Sequence, residues 1–322
     1  MNTNPQKNNK NKSGRKWNAW LAVLLSALIG ATMIGTACAQ IYVATADNGA
    51  ADAVTAYNAN GSLFGGFTTI TGNNPYGVAL DGAGNLYVGN LNGPNILKYN
   101  AATGAPVAVP LGSANVPFGL AVSGNIIYDA GYSSNVVSKY NATTGAVIKN
   151  IFINVDHPSA VAFDGSGNLY VAIHGSGTVG EYNATTGAAI NSSLITGFSG
   201  AGGVAVDAAG NVYVSGPSTI GKYNAVTRVF DPNFITANVS TSFSITLDGL
   251  GNLYSTNYVS GTVAKYSLAD GSFESYLVTG LFHPVGITMI AAVPEPSSVA
   301  LLCIGVVTFL SWKTRKTLCR KI

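Results

Sequence analysis

The stretch 77-GVALDGAGNLYVGN-90 sets two apolar runs on either side of an Asp-Gly-x-Gly-Asn turn, and the chain repeats it. Related stretches follow as 119-GLAVSGNIIYDAG-131, 160-AVAFDGSGNLYVAI-173, 203-GVAVDAAGNVYVSG-216 and 244-SITLDGLGNLYSTN-257, then a partial copy at 286-GITMIAAV-293. Their starts lie 42, 41, 43, 41 and 42 residues apart. Each unit continues to a second marker, 98-KYNAATGAPV, 139-KYNATTGAVI, 181-EYNATTGAAI, 222-KYNAVTRVF and 265-KYSLADGSF, with 56-AYNANGSLF as its earliest copy. Twelve of the sixteen tyrosines fall in two columns, one at Tyr42, Tyr87, Tyr128, Tyr170, Tyr213 and Tyr254, the other at Tyr57, Tyr99, Tyr140, Tyr182, Tyr223 and Tyr266. A period held at two separate positions marks a repeated structural unit rather than a compositional bias.

Each unit reads as four short strands. GVAL is the first, the Asp-Gly turn leads to LYV as the second, a variable Gly/Ser/Asn loop leads to a third ending in Tyr-Asn, and Thr-Gly turns into the fourth. Asp-Gly and Asn near Gly stand where the backbone must reach positive φ. Four antiparallel strands per unit of this length predict a propeller blade. The ends give the count: 41-IYVATADN-48 is a second strand, and 286-GITMIAAV-293 is a first strand without successors. Five complete units plus one blade shared by both ends predict an all-β, six-bladed β-propeller over residues 40–293, closed so that no sheet edge is left along the ring. Seven blades or an open array are the alternatives.

The units resemble NHL-repeat propellers and the related streptogramin lyases and gluconolactonases. The P-x-G lead-in of 75-PYGVALDGAGNLYV-88 and 117-PFGLAV-122, the DGxGN turn and the following aliphatic-Tyr-Val carry that resemblance over nearly all of the repeat region. It implies a fold and leaves function open, since one propeller scaffold hosts enzymes, sensors and structural modules.

Charged residues make up 9% of the chain, against roughly 25% in an average soluble domain. The net charge of +3 is a property of the two ends, because residues 40–293 hold six basic against twelve acidic side chains. Nucleic acid is excluded as a partner of that body, since phosphate binding needs clustered Lys and Arg. Ahead of it, Lys7, Lys10, Lys12, Arg15 and Lys16 precede an apolar run from Trp20 to Ile34 and the small-residue site Ala37-Cys38-Ala39. That order predicts a signal peptide over residues 1–39, cut between Ala39 and Gln40 by signal peptidase after Sec export. An uncleaved anchor is the alternative. Cys38, Cys303 and Cys319 all lie outside the repeats, so the body contains no disulfide and no thiolate chemistry.

In such a ring the first strands line a central channel, and the loops entering them share a face with the loops between second and third strands. Asn74, Val116, His157, Gly200, Thr241 and His283 recur on that face. His157 and His283 belong to opposite units and are the candidate catalytic pair, since imidazole serves as metal ligand or as acid and base; His-Pro is also an ordinary way into a strand. Asn74, His174 and Asp129 are ligand-binding candidates. Asp129 replaces the Val88, Val171 or Val214 of other units, and a carboxylate there must be paired or line water. The resemblance to gluconolactonases and streptogramin lyases implies a divalent metal held with a channel glutamate, yet the body's two glutamates, Glu181 and Glu274, fall on outer strands. No metal or other cofactor is therefore expected unless the chain is a metal-dependent lactonase or lyase. The aspartates Asp81, Asp164, Asp207 and Asp248 are expected to cap turns.

The chain closes with 292-AVPEPSSVALLCIGVVTFLSWKTRKTLCRKI-322, which passes from Pro/Ser to uncharged apolar to basic. A transmembrane helix is expected near residues 297–312, with the basic end cytoplasmic; its short apolar run calls for snorkelling of Lys313. The order Pro294-Glu295-Pro296, apolar span and basic cluster resembles the PEP-CTERM sorting signal of Gram-negative exporters. The resemblance implies an exosortase partner, an inner-membrane intermediate, and delivery to the cell surface or extracellular matrix. Together these readings predict an exported structural or ligand-binding module of the envelope or exopolysaccharide matrix, with matrix proteins or exopolysaccharide as partners, and a lactonase or lyase as the alternative.

Overall fold

The computed structural model describes residues 39–290, apart from 47–48, 50–51, 93–95 and 108–115. The signal peptide expected over residues 1–39, other than Ala39, the sorting motif at Pro294, Glu295 and Pro296, and the helix expected near 297–312 lie outside the described residues. Among the described residues no helix is long and apolar enough to cross a membrane.

Six antiparallel sheets form the fold, and each is one blade. Blades 1 to 5 run in chain order, with inner strands Pro75–Leu80, Pro117–Ser123, Pro158–Phe163, Val204–Val206 and Ile245–Leu247. The closing blade joins the last strand, Pro284–Ile290, to the first, Gln40–Thr45, in a register that pairs Ile290 with Gln40 and Ile287 with Val43. Adjacent inner strands touch all the way round, from blade 1 through blade 5 to the closing blade and back. This is the shared blade that the repeat phase predicts. In blades 1, 2, 3 and the closing blade the inner strand starts two residues before the repeat boundary, at the proline of P-x-G or its equivalent.

The core lies between blades, not within them. Along each second strand successive side chains point to opposite neighbours, so Leu86 packs toward the closing blade with Tyr42 and Val54, while Tyr87 packs toward blade 2 with Leu120, Ile127 and Tyr140. Both faces of that strand are therefore buried, which explains why LYV is continuously apolar instead of alternating. Tyrosine suits the position because its ring fills the interface while its hydroxyl reaches a carbonyl of the next blade. Tyr42 donates to Ala101 O at 2.7 Å and Tyr128 to Ala184 O at 2.8 Å. Lys139, nearly buried, donates to the same Ala184 carbonyl at 3.0 Å with its ammonium over the Tyr128 and Phe152 rings.

The turns divide the molecule into two faces. At the base lie the DGxGN hairpins and the Tyr-Asn turns; at the opposite face, the mouth, the chain enters each inner strand and passes from second to third strand. Asp164 shows how the base hairpins are built: Oδ1 accepts the amides of Ser166 and Asn168, and Oδ2 accepts the Asn168 side chain at 2.8 Å. Asp81, Asp207 and Asp248 do the same, so all four cap turns.

Candidate functional site

The inner strands surround a channel cavity of about 300 Å³. Its wall consists of backbone, aliphatic side chains, a few hydroxyls such as Ser159, Ser244 and Thr288, and four rings, Tyr76, Phe118, Phe163 and Phe243. No carboxylate, imidazole or amine is among the described residues that line it.

Three of those rings, Tyr76, Phe118 and Phe243, occupy the x of P-x-G in blades 1, 2 and 5, where blades 3 and 4 carry Ser159 and Gly202. Each is half-buried, and each belongs to a longer chain of contacts across the mouth. Phe118 lies 4.3 Å from Tyr76 and stacks on Tyr132 at 4.4 Å between centroids. Tyr132 in turn meets His157 at 4.8 Å and His174 at 5.6 Å. On its other side Tyr76 reaches Phe243 at 6.1 Å, which meets Tyr258 at 5.3 Å. Tyr258 stacks on His283 at 4.2 Å with the planes only 8° apart, and Phe282 follows at 4.3 Å. The arc draws rings from every blade except blade 4, whose entry consists of Gly200, Ala201, Gly202 and Gly203. An aromatic wall thus faces a gap of small residues.

Polar atoms gather along the wall. Burial pushes the Tyr76 phenol well above its ordinary range, and charge on the neighbouring Tyr258 and Tyr132 phenols would push it further. The Tyr132 hydroxyl lies 3.3 Å from His174 Nδ1. His157 Nδ1 pairs with Asp156 Oδ1 at 2.6 Å, and its backbone amide donates to Asn135 Oδ1.

The two candidate histidines stand in opposite blades, as their repeat units do. His157 is brought to His174 and Tyr132, whereas His283 belongs to the opposite blade, packed on Tyr258 with Nδ1 buried and unpartnered among the described residues. Asn74, His157, Thr241 and His283 share a left-handed backbone, with φ of 54°, 51°, 52° and 45°, and Gly200 has φ of 71°. The bend into the inner strand imposes that conformation. Asn and His are among the residues that tolerate it best, which gives the two His-Pro steps a conformational reason. Asn74 is buried at the blade 1 entry, where its carbonyl accepts the Leu91 amide.

Asp129 corrects an expectation: it forms no pair among the described residues and does not line the channel. Its side chain is fully buried, its two oxygens have no hydrogen-bond partner among the described residues, and it lies outside the channel wall. Burial raises its pKa well above the ordinary carboxylate value, which favours the protonated form. The two glutamates have structural partners, Glu274 an ion pair with Lys265 at 2.7 Å and Glu181 the Tyr170 hydroxyl.

The residues missed at the level of sequence are Tyr76, Phe118, Tyr132, Phe243 and Tyr258. A signal was present: the tyrosines outside the two columns are Tyr76, Tyr132, Tyr258 and Tyr276, and three of these four stand in the arc.

A family model described as the PEP-CTERM protein-sorting motif matches residues 292–316. The chain therefore carries a sorting motif of that type next to a six-bladed propeller, and the motif implies an exported protein processed by an exosortase. No curated protein matches the chain. Among solved structures, a chain from a nidogen/laminin complex is similar with a TM-score of 0.62 at 16% identity, covering 79% of this chain and 98% of that one. A computationally designed protein, Ika8, is similar with a TM-score of 0.47 at 14% identity over 73% of this chain and 70% of that one. The first likeness shows the propeller fold alone.

Proposed function

We propose that the protein is an exosortase-sorted module of the cell envelope or exopolysaccharide matrix that binds a neutral saccharide at the mouth of its channel. The observation that carries this reading is the arc of half-buried rings from His174 through Phe118 and Tyr76 to His283. Ring faces pack against the C–H faces of a sugar, while phenol and imidazole groups at the edges exchange hydrogen bonds with its hydroxyls. The channel lining has no charged side chain and the Asp156 carboxylate beside the arc is paired with His157, which favours a neutral ligand, and the gap at blade 4 leaves room for a chain to pass.

A metal-dependent lactonase or lyase has less support. His157 and His283 enter opposite blades, and among the described residues no group of three His, Cys, Asp or Glu is placed to hold a metal.

The test is calorimetric titration of the protein with neutral oligosaccharides prepared from the host's exopolysaccharide. Binding that falls about tenfold for Phe118→Ala and again for Tyr132→Ala supports the reading. No binding by the parent protein overturns it, and stoichiometric zinc or manganese lost in His157→Ala/His283→Ala moves the case to the enzyme. In the host, replacing Pro294, Glu295 and Pro296 by alanine leaves the chain unprocessed in the membrane; unchanged delivery overturns the sorting claim.

A further inference from the structure

Most exposed large apolar side chains among the described residues lie on the base, the face opposite the rings. They recur where the outer strand begins, just after the Tyr-Asn turn: Leu63 in the closing blade, Val107 in blade 1, Val147 in blade 2, Ile190 in blade 3 and Val229 in blade 4. The tips of two turns add Val226, 87% exposed, and Leu250, 59% exposed. Leu63 and Val229 are exposed by 68% and 61%. Burying any of these in the fold would need a neighbour that the closed ring does not supply, so they form an apolar rim around one end of the molecule. Scattered surface leucines and valines need no explanation, but a rim repeated from blade to blade does.

The ends of the chain say what covers it. Gln40 and Ile290 are paired residues, and both sit at the base, where the closing blade has a break in place of a DGxGN hairpin. Val299, the start of the apolar run, follows Ile290 by nine Cα–Cα steps, so at full extension the two are at most about 32 Å apart. Any bilayer that receives that run lies within this reach of the base, where Ile290 ends the closing blade. The turns there carry the carboxylates of Asp81, Asp164, Asp207, Asp248 and Asp270 and the guanidinium of Arg228, which disfavours an anionic leaflet.

We infer that the base is a membrane-apposed surface: while the tail holds the chain, the apolar rim rests in the headgroup region of a zwitterionic lipid leaflet and the mouth points away from it. The contact is interfacial, driven by apolar tips and limited to the depth they reach.

The test uses the full chain, with Cys38, Cys303 and Cys319 replaced by serine and a single environment-sensitive dye placed through Val226→Cys, Leu250→Cys or Val259→Cys, the last on the mouth face. The protein is reconstituted in phosphatidylcholine vesicles containing a lipid with a spin-label quencher near its headgroup. Dyes at 226 and 250 emit as in an apolar medium and are quenched at least about threefold more than the dye at 259. Adding Leu63→Asp and Val229→Asp removes the difference while near-ultraviolet circular dichroism stays unchanged. Equal, water-like emission at all three positions overturns the inference. So does shielding that rises with protein density at fixed lipid, which would assign the rim to a second copy.

Discussion

Asp129 stands where Val88, Val171 and Val214 stand in other blades, between Leu120 and Ser138 on neighbouring strands. Its position in the repeat made it conspicuous in the sequence, but the absence of a partner depends on residues of two blades meeting around it, which no local pattern records. Asp129→Val should therefore stabilise the protein, by about 1–3 kcal/mol at neutral pH, because an unsatisfied buried polar group is replaced by the side chain its equivalents use. The linkage has a definite sign. A carboxyl whose pKa is raised in the fold binds its proton more tightly there than in the unfolded chain, so its contribution is most favourable below the unfolded value of about 3.9 and declines as pH rises above it. Urea unfolding at a series of pH values should show the parent losing stability relative to Asp129→Val as pH rises above about 4. Parallel curves would show that the carboxyl's pKa is not raised in the fold.

At the scale of the element, the turn between third and fourth strands explains a second column. In blade 5 a Cβ added at Gly271 would collide with the carbonyl oxygen of Phe234 in the outer strand of blade 4, and one at Gly104 in blade 1 with that of Thr68 in the closing blade. Both glycines also have positive φ, 74° and 73°. Blade 4 breaks the rule with Arg228, whose φ of 58° is paid for by a side chain that gains no hydrogen bond in return among the described residues. Arg228→Gly should raise stability by about 1 kcal/mol, whereas Gly271→Ala should lower it by more, both read from thermal unfolding. A Gly271→Ala protein as stable as its parent would show that the blades slide apart at little cost. These turns and the DGxGN hairpins were legible in the sequence because their chemistry is local: Asp, Asn and Gly act on amides two to four residues away. The aromatic arc was not, since its members contact partners in other units, up to 167 residues distant between Tyr76 and Phe243. Only their departure from the tyrosine columns betrayed them.

The whole molecule depends on one strand. Pro284–Ile290 is the inner strand of the closing blade, with Val285 and Ile287 buried against both neighbours, and it alone converts an open row of blades into a ring. A chain ending at His283 should lose at least about 5 kcal/mol, enough to make the fold marginal, with a broadened calorimetric transition and a larger radius in X-ray scattering. An unchanged transition would mean that the remaining blades close without it. Because the strand occupies the last stretch before the sorting motif at residues 292–316, completion and delivery are coupled in the order of synthesis. A product that stops early lacks the strand that shuts the ring and, with it, the address that would carry an unshut ring to its destination. In chain order, then, a copy that stops before the closing strand also stops before the sorting motif, so every copy that carries the motif has the strand that shuts the ring.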